Sequence, residues 1–286
     1  MQKIQNMACL NSRFTIENFI IFFFGMIVAK IFNHNAEVCE SLNREVVKWS
    51  EIPAASMTGR QMIEYLKWKN FTSCEFINYF GGDYGLPTSF IDGQKAMCGG
   101  FAAGEKPFRC LVYSFGINKQ WSFDEAMEKY GCRVLAFDPS MKTGDHQHSD
   151  NIYFFQMGLG DHDTERNGWK LRTLSSIYKM MNSYHGEKII DYLKIDIEGD
   201  EWGALQNIID SGMLPKIRQL AVEVHLIPAN QTIEFYRKRI EILQLLEAHG
   251  MVRFSSVANP AMHVQIHAFG FVDYPCHEIA WYNNHL

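Results

Sequence analysis

Short apolar strands alternate with amphipathic helices from Cys110 onward, and this alternation limits the possible folds more than any other feature of the chain. Helices are predicted at residues 122–130, 174–184, 202–209 and 232–249. Buried strands are predicted at residues 110–114, 133–138, 152–156, 189–196 and 220–225. Such alternation implies an α/β fold with a mostly parallel sheet and helices on both faces. Residues 251–255 and 264–273 are expected to close the sheet as a hairpin.

The segment from Tyr192 to Trp202 carries the strongest functional signal. An apolar strand runs there into Asp196, Glu198 and Gly199, and a helix begins directly afterwards. In open α/β sheets, ligands bind at the carboxyl ends of the strands. Residues two apart on a strand share a face, so both carboxylates can point into one site. We therefore predict that Asp196 and Glu198 are catalytic residues on the floor of an active site.

A second polar pair, Glu223 and His225, shares a face of the next predicted strand. A carboxylate and imidazole cluster at this edge could take a proton from an acceptor hydroxyl or hold a divalent cation. We predict His225 as a third catalytic residue. Asp196, Glu198 and Glu223 are possible ligands of a divalent metal. The sequence leaves the choice between base and metal open.

The turn after the first predicted strand could bind a nucleotide-like ligand. Gly116 begins this turn, and backbone N–H groups at the start of the following helix can receive a carboxylate or phosphate. Only one glycine of a G-x-G-x-x-G fingerprint is present, so this signal is weak by itself. Asp138 ends the second strand, where a carboxylate can bind both hydroxyls of a ribose. Asp161, after the third strand, could accept from an adenine amino group.

Composition favours one large globular domain and excludes one class of partner. With 286 residues, 47% of them hydrophobic, the chain can bury a full core. Its net charge is −5, and no run of Lys and Arg is long enough to follow a phosphate backbone. We therefore expect no nucleic-acid partner.

An apolar segment near the N-terminus predicts entry into the secretory pathway. Phe19 to Ala29 is an unbroken apolar run of 11 residues, preceded by Lys3 and Arg13. Eleven residues suit a cleaved signal peptide, whereas the longer stretch 14–32 would suit a membrane-spanning signal anchor. A buried helix of a cytosolic protein is the third possibility. We expect either a single-pass type II protein of the ER or Golgi, touching the membrane only here, or a secreted protein.

Three segments follow from this interpretation: a signal anchor or signal peptide at 1–36, a cysteine-containing cap region at 37–108 and the catalytic domain at 109–286. Six cysteines follow the apolar segment, which suits three disulfides of unknown pairing in an oxidising compartment. These are Cys39, Cys74, Cys98, Cys110, Cys132 and Cys276. Sequons at Asn70 and Asn230 agree with a glycoprotein on the lumenal side.

Two groups of motifs make the chain resemble class I S-adenosylmethionine-dependent methyltransferases. Thr173–Ile177 and Tyr192–Glu201 resemble the hallmark of the FkbM-type O-methyltransferases. Three further segments resemble the animal methyltransferase-like family with a secretory leader: Cys110–Ile117, Trp121–Asp124 and Ala136–Met141.

This resemblance, which spans residues 74–283, implies a Rossmann-like class I methyltransferase fold with a seven-stranded sheet and an antiparallel last strand. S-adenosylmethionine would lie over the carboxyl edge as cofactor, with its ribose on Asp138, its adenine near Asp161 and its methionine end near Gly116. Ser114 stands where the family has an acidic residue, and Asn118 replaces a later glycine. Both are expected to contact the cofactor.

The implied activity is methyl transfer to a hydroxyl oxygen of a small-molecule or glycan acceptor in the secretory pathway. Two alternatives stay open. The departures at Ser114 and Asn118 leave room for a catalytically inactive secreted binding module on the same fold. The triplet Asp161-His162-Asp163 is a D-x-D that could serve a lumenal metal-dependent glycosyltransferase.

Overall fold

The computed structural model describes residues 47–70, 72–85, 90–99, 108 and 110–286. Its helices are α1 (Gly59–Lys67), α2 (Ser122–Tyr130), α3 (Leu174–Met180), α4 (Asn182–His185), α5 (Glu201–Asp210) and α6 (Ile233–Ala248), with 3₁₀ turns at Trp49–Glu51, Ala54–Ser56 and Leu214–Lys216. Its strands are β1 (Ile77–Phe80), β2 (Asp83–Gly85), β3 (Phe90–Asp92), β4 (Lys95–Cys98), β5 (Cys110–Phe115), β6 (Cys132–Phe137), β7 (His146–Gln147), β8 (Ile152–Phe155), β9 (Gly158–Leu159), β10 (Thr164–Arg166), β11 (Trp169–Arg172), β12 (Ile190–Ile195), β13 (Ile217–His225), β14 (Met251–Ala258), β15 (Val264–Ile266), β16 (Phe271–Asp273) and β17 (Cys276–Asn283).

The central sheet has the order β14-β17-β13-β12-β5-β6-β8-β7. The five strands from β13 to β8 are parallel neighbours, and β17 runs antiparallel to both β13 and β14. This order confirms the expected Rossmann-like sheet with an antiparallel last strand. The sheet has eight strands rather than seven, because the two-residue strand β7 pairs with the outer edge of β8.

The closing hairpin lies later in the chain than the sequence predicted. Residues 264–266 and 271–273 form a separate small hairpin, β15-β16, and the strand that pairs with β14 is β17. Polar His277 and Glu278 interrupt the apolar pattern at the start of β17. Both side chains have a place inside the protein, since His277 is buried and Glu278 contacts Lys95. The prediction at 264–273 was therefore wrong for the central sheet.

Helices cover both faces of the sheet. On one face, Val112 and Val134 pack with Phe123 and Met127 of α2 in a buried apolar cluster. On the other face, the hydroxyl of Tyr113 lies 2.6 Å from Nε2 of His185 in α4. Neighbouring residues of β5 thus point to opposite faces, and both are buried, as expected for a central parallel strand.

The described part of the cap region packs on the sheet, within one compact unit that spans Ser50–Leu286. Strand β4 contacts β13 and β17. The Tyr192 hydroxyl donates to the carbonyl oxygen of Ala96 at 2.7 Å. The Gln219 amide bonds both the N–H and the carbonyl of Cys98 at 2.9 Å. These contacts fix β4 against the sheet; the boundaries at residues 36 and 108 stay predictions.

Two disulfides join cysteines of the described residues: Cys74–Cys98 and Cys110–Cys132. Cys276 is a buried free thiol, so the expected third disulfide through Cys276 is not formed. Cys39 and the N-terminal apolar segment lie outside the described residues. Among the described residues, no helix has both the length and the apolar character needed to cross a membrane.

Candidate active site

A cleft at the carboxyl edge of the sheet brings most of the predicted site residues together. The register sets the last residue of β5 level with the last residues of β6 and β12. The residues that follow these strands, Gly116, Asp138 and Asp196, therefore leave the sheet side by side. The strand order reverses direction between β5 and β12, where ligands bind in open α/β sheets. The cleft has a volume of about 490 Å³, within the range of small-molecule sites.

Carboxylic acids dominate the charged lining of this cleft. No Lys or Arg occurs among its lining residues within the described part of the chain. Its titratable lining residues are Asp92, Asp138, Asp196, Glu198, Asp200, Glu223 and His225. Because opposite charges attract and like charges repel, the cleft favours a ligand with positive charge over a polyanion.

Gly116 occupies a position that only glycine can fill. Its φ is +80°, and a Cβ atom there would lie 1.6 Å from the carbonyl oxygen of Asp196. The loops that follow β5 and β12 thus touch backbone to backbone. Beneath them, the buried ammonium of Lys194 donates to the carbonyl oxygen of Gly116 at 2.6 Å. The absence of a side chain at Gly116 lets a ligand approach the loop closely.

The carboxylate of Asp138 holds this loop in place. Its Oδ2 accepts from the N–H groups of Ile117 at 2.9 Å and Asn118 at 2.8 Å. Its Oδ1 accepts from the N–H and the hydroxyl of Ser140, at 2.7 and 2.6 Å. A carboxylate offers about four acceptor positions. A ribose hydroxyl would therefore have to replace one of these bonds, and ribose binding by Asp138 stays a prediction.

Three of the five predicted cofactor residues line the cleft: Gly116, Asn118 and Asp138. Ser114 is buried inside β5, beside Lys194 of β12. Asp161 is exposed and pairs with Nδ1 of His162 at 2.7 Å. Neither is among the described lining residues, so their contact with a cofactor stays a prediction.

Asp196 follows β12 and lines the cleft as a partly buried carboxylate. Its Oδ2 accepts from Nζ of Lys95 at 3.4 Å and lies 4.0 Å from Nζ of Lys194. Among the described residues, no donor within hydrogen-bond distance of Oδ1 is found. Burial opposes ionisation, but Lys95, Lys194 and His225 hold the pKa of Asp196 below its ordinary value. Asp196 is therefore ionised at neutral pH and has one oxygen open to a ligand.

Glu198 and His225, the other two predicted catalytic residues, also line the cleft. The Glu198 side chain is 79% exposed, and its Oε2 lies 3.8 Å from Nε2 of the buried His225. On the other side of the ring, Nδ1 of His225 lies 3.0 Å from Oε1 of Glu201, the first residue of α5. Burial alone would lower the pKa of His225, but the hydrogen bond and charge of Glu201, with Glu223 and Asp196, raise it to about 9. His225 is thus an imidazolium at neutral pH, which favours a cationic role over that of a base.

Lys95 brings a buried positive charge to the same edge. Its ammonium contacts Glu278 of β17 as well as Asp196. Burial, Glu278 and Asp196 raise the pKa of the neighbouring Glu223 to about 8, so this carboxyl is mostly protonated at neutral pH. Oε1 of Glu223 accepts from the amide of Asn259 at 2.7 Å. These side chains form one charge network at the sheet edge rather than a single acid or base. Its members are Lys95, Asp196, Glu198, Glu201, Glu223, His225 and Glu278.

Two groups of side chains could in principle hold a divalent cation: Asp196, Glu198 and His225, and Asp196, Glu223 and Glu278. Within each group the ligand atoms lie within 4.8 Å of one another. The first group requires His225 to lose its proton before it can bind a metal. The second group already contacts a cation, the ammonium of Lys95. Metal binding stays a prediction.

Sequence reasoning missed three charged members of this network. Lys95 precedes a Gly-rich stretch that carried no motif, and Glu278 lies in the strand that was not predicted. Glu201 was present in the motif around Asp196, and a helix start was recognised there. Its location directly after two site carboxylates was the signal that could have identified it.

The D-x-D triplet has a structural role at one of its two carboxylates. Oδ1 of Asp163 accepts from the N–H of Thr173 at 2.8 Å, and Oδ2 accepts from the Ser176 hydroxyl at 2.7 Å. These bonds hold the start of α3. Neither Asp161 nor Asp163 is among the described residues that line the cleft, and the cleft's acidic lining disfavours a sugar nucleotide.

The fold and the cleft define the class of this protein: a Rossmann-like α/β domain with a ligand site at the topological switch point. The model of a family described as "Methyltransferase domain" matches residues 48–273. The chain belongs to this methyltransferase-domain family. This match confirms the methyltransferase resemblance seen in the sequence motifs.

Curated relatives from animals agree with this assignment. The chain is 25% identical over 190 residues to "Probable methyltransferase-like protein 24" of Homo sapiens, a match that covers 61% of this chain and 50% of the relative. The protein of the same name from Rattus norvegicus is 24% identical over 187 residues, with 61% and 51% covered. The chain thus spans about half the length of the curated relatives it matches. The link to the FkbM-type enzymes stays a prediction.

Solved structures give a weaker likeness. The SAM-dependent methyltransferase from Agrobacterium tumefaciens is 12% identical with a TM-score of 0.36, covering 63% of this chain and 57% of that one. The fibrillarin pre-rRNA processing protein of Methanococcus jannaschii is 11% identical with a TM-score of 0.32, covering 60% and 65%. The fold assignment above therefore rests on the strand order and not on these likenesses.

Proposed function

We propose that this protein is a methyltransferase that uses S-adenosylmethionine to methylate a hydroxyl oxygen of a small-molecule or glycan acceptor in the secretory pathway. The observation that carries this proposal is the position of Asp196 beside the Gly116 loop at the switch point of the sheet. The open oxygen of Asp196 can accept a hydroxyl proton there.

The cleft fits the donor in two respects. Its lining carries negative charge, which complements the positive sulfur of S-adenosylmethionine. The Gly116 loop presents bare backbone, held by Asp138 from one side and Lys194 from the other. When bound, the donor supplies a methyl group that is already activated, so the protein mainly has to align an acceptor with it.

Asp196 and its neighbours can perform the proton transfer that a hydroxyl acceptor requires. The acceptor O–H donates to Oδ1 of Asp196, and the proton passes to this carboxylate as the oxygen gains the methyl group. The donor sulfur keeps the electron pair of the bond that breaks. Positive charge on Lys95 and His225 stabilises negative charge that develops on the acceptor oxygen.

The secretory location is part of the proposal and is supported by the two disulfides, Cys74–Cys98 and Cys110–Cys132. Disulfides persist in oxidising compartments and are rare in the cytosol. A lumenal glycosyltransferase, the alternative from the D-x-D triplet, has no support from the cleft. An inactive binding module on the same fold is separated from an enzyme by the following experiment.

The test combines donor binding with methyl transfer. Calorimetric titration of S-adenosylmethionine should show a saturable site, and labelled donor should transfer methyl groups to members of a panel of hydroxyl acceptors. Asp196→Asn should lower transfer about 10²–10⁴-fold, because the amide cannot take the proton. Asp200→Asn, which removes the same charge from the cleft lining, is the matched control, and at saturating donor it should keep transfer within a few-fold.

The outcomes separate the candidate functions. Donor binding with no transfer to any hydroxyl would identify a binding module or a different acceptor chemistry. No donor binding by folded protein would rule out the proposal. Equal transfer by wild type and Asp196→Asn would remove Asp196 from the reaction.

A further inference from the structure

We propose that the ammonium of Lys95 is the built-in cation of this reaction site: it takes the place that a divalent metal would take among the carboxylates of Asp196, Glu223 and Glu278. In that place Lys95 is a positioning residue, which holds Asp196 through one oxygen and leaves the other oxygen to the acceptor. The positioning role of Lys95 rests on the proposed methyl transfer, whereas the place of its ammonium among the three carboxylates does not.

The three carboxyl groups create the need for a cation. One oxygen from each of Asp196, Glu223 and Glu278 lies within 4.8 Å of the others. Carboxylates this close cannot all ionise without a compensating positive charge. Such a set of oxygens is also what a hard divalent cation binds. Lys95 contacts two of the three directly, Oδ2 of Asp196 at 3.4 Å and Oε1 of Glu278 at shorter range.

Lys95 is fixed in this place by the architecture around it. The residue is 1% exposed, and a buried lysine is very costly unless it is paired. Its strand, β4, is anchored by Tyr192, Gln219 and the Cys74–Cys98 disulfide. The ammonium therefore cannot exchange with solvent as a metal ion can.

The contact with Asp196 links this cation to the chemistry. Lys95 engages only Oδ2 of Asp196, and no donor among the described residues lies within hydrogen-bond distance of Oδ1, so this oxygen is left for a ligand. Lys194, the other lysine near Asp196, donates instead to the carbonyl oxygens of Phe115 and Gly116. The two lysines thus differ in role, and Lys194 serves as the matched control.

The experiment removes the ammonium and offers Mn²⁺ in its place. Lys95→Ala leaves the three carboxyl groups with an empty space between them. We expect it to bind Mn²⁺, measured by electron paramagnetic resonance, at least about tenfold more tightly than the wild type, because oxygen ligands then surround a vacant cation position. The gain should vanish when Glu278→Gln is added. Lys194→Ala should bind Mn²⁺ as weakly as the wild type.

Thermal unfolding and donor binding complete the test on the same samples. Mn²⁺ should raise the melting temperature of Lys95→Ala and leave that of the wild type unchanged, an effect that a purely structural lysine would not produce. Lys95→Ala with no gain in Mn²⁺ affinity would overturn the proposal. If this variant does not fold, the wild type decides: Mn²⁺ binding that is lost in Asp196→Asn would overturn it, and no such binding supports it.

Two results separate this proposal from the proposed function. If the Mn²⁺ pattern holds but no sample binds S-adenosylmethionine, the proposed function fails and the cation's place in the cluster stands. If methyl transfer to a hydroxyl acceptor is observed and the Mn²⁺ pattern is absent, the function stands and the role of Lys95 fails.

Discussion

At the scale of single residues, the geometry of the site depends on a few positions where a single atom, present or absent, determines which contacts can form. Gly116 is the clearest of these, because its missing Cβ allows the loops after β5 and β12 to touch. Asp196 is another, since one of its oxygens accepts from a lysine and the other has no donor among the described residues. Both positions were found from sequence because they lie next to predicted strand ends. Lys95 was not found, since nothing in the local sequence shows that β4 reaches this edge.

Substituting alanine at Gly116 should abolish donor binding and lower stability strongly. Gly144 provides the control, because its φ of +70° is similar but a Cβ there meets nothing within 4 Å. Gly144→Ala should lose only the cost of a left-handed backbone, about 1–2 kcal/mol. Gly116→Ala should lose clearly more, since its Cβ overlaps the Asp196 carbonyl. Urea unfolding and titration with S-adenosylmethionine measure both effects; equal losses in the two variants would contradict the close contact.

At the scale of elements, the sequence predicted most of the sheet and missed its end. Strands β5, β6, β8, β12 and β13 were predicted correctly, because a buried parallel strand is a continuous apolar run. Strand β17 was missed because His277 and Glu278 break that pattern. Glu278 contacts Lys95, which lies far away in the chain, so local sequence could not reveal this partner. Among the described residues, the buried ring of His277 has no hydrogen-bond partner.

The contact between His225 of β13 and Glu201 of α5 should make the free energy of unfolding depend on pH. The pKa of His225 is raised from 6.5 to about 9 in the folded protein. A raised histidine pKa stabilises the fold fully below 6.5, and this contribution is lost as the pH rises through 9. The wild type should therefore lose about 3 kcal/mol relative to His225→Gln between about pH 6 and about pH 9.5.

Urea unfolding at a series of pH values measures this difference. His146→Gln is the control, because His146 is exposed and lies outside the charge network. A constant difference between the wild type and His225→Gln across the range would show that the imidazole is not held as a cation by Glu201.

At the scale of the whole molecule, the sequence was enough to predict the fold class and the family, whereas the charge network required the folded structure. The fold class followed from the alternation of strands and helices, and the family followed from motifs and is confirmed by the match to residues 48–273. The charge network did not follow from either. It joins the cap region, the middle of the sheet and the last strand, and such long-range contacts appear only when the chain is folded.

The proposed secretory location predicts a glycan on Asn230, an exposed residue just before α6. Protein from a eukaryotic secretory host should lose mass on treatment with peptide N-glycosidase, and Asn230→Gln should remove this loss at that position. Thr232→Ser is the matched control, since it keeps both a sequon and a hydroxyl cap for α6. An unglycosylated Asn230 in protein that has passed through the secretory pathway would contradict the prediction.

The position of Lys95 on β4 has a consequence for how this architecture can be recombined. An ammonium from the cap region faces Asp196 and Glu278, which belong to the sheet. A chimera that takes residues 50–99 from one relative and the sheet from another would have to match these partners, or it would bury an uncompensated charge. Inheritance of the two parts is therefore coupled, and the residues at positions 95 and 278 should be exchanged together when such chimeras are built.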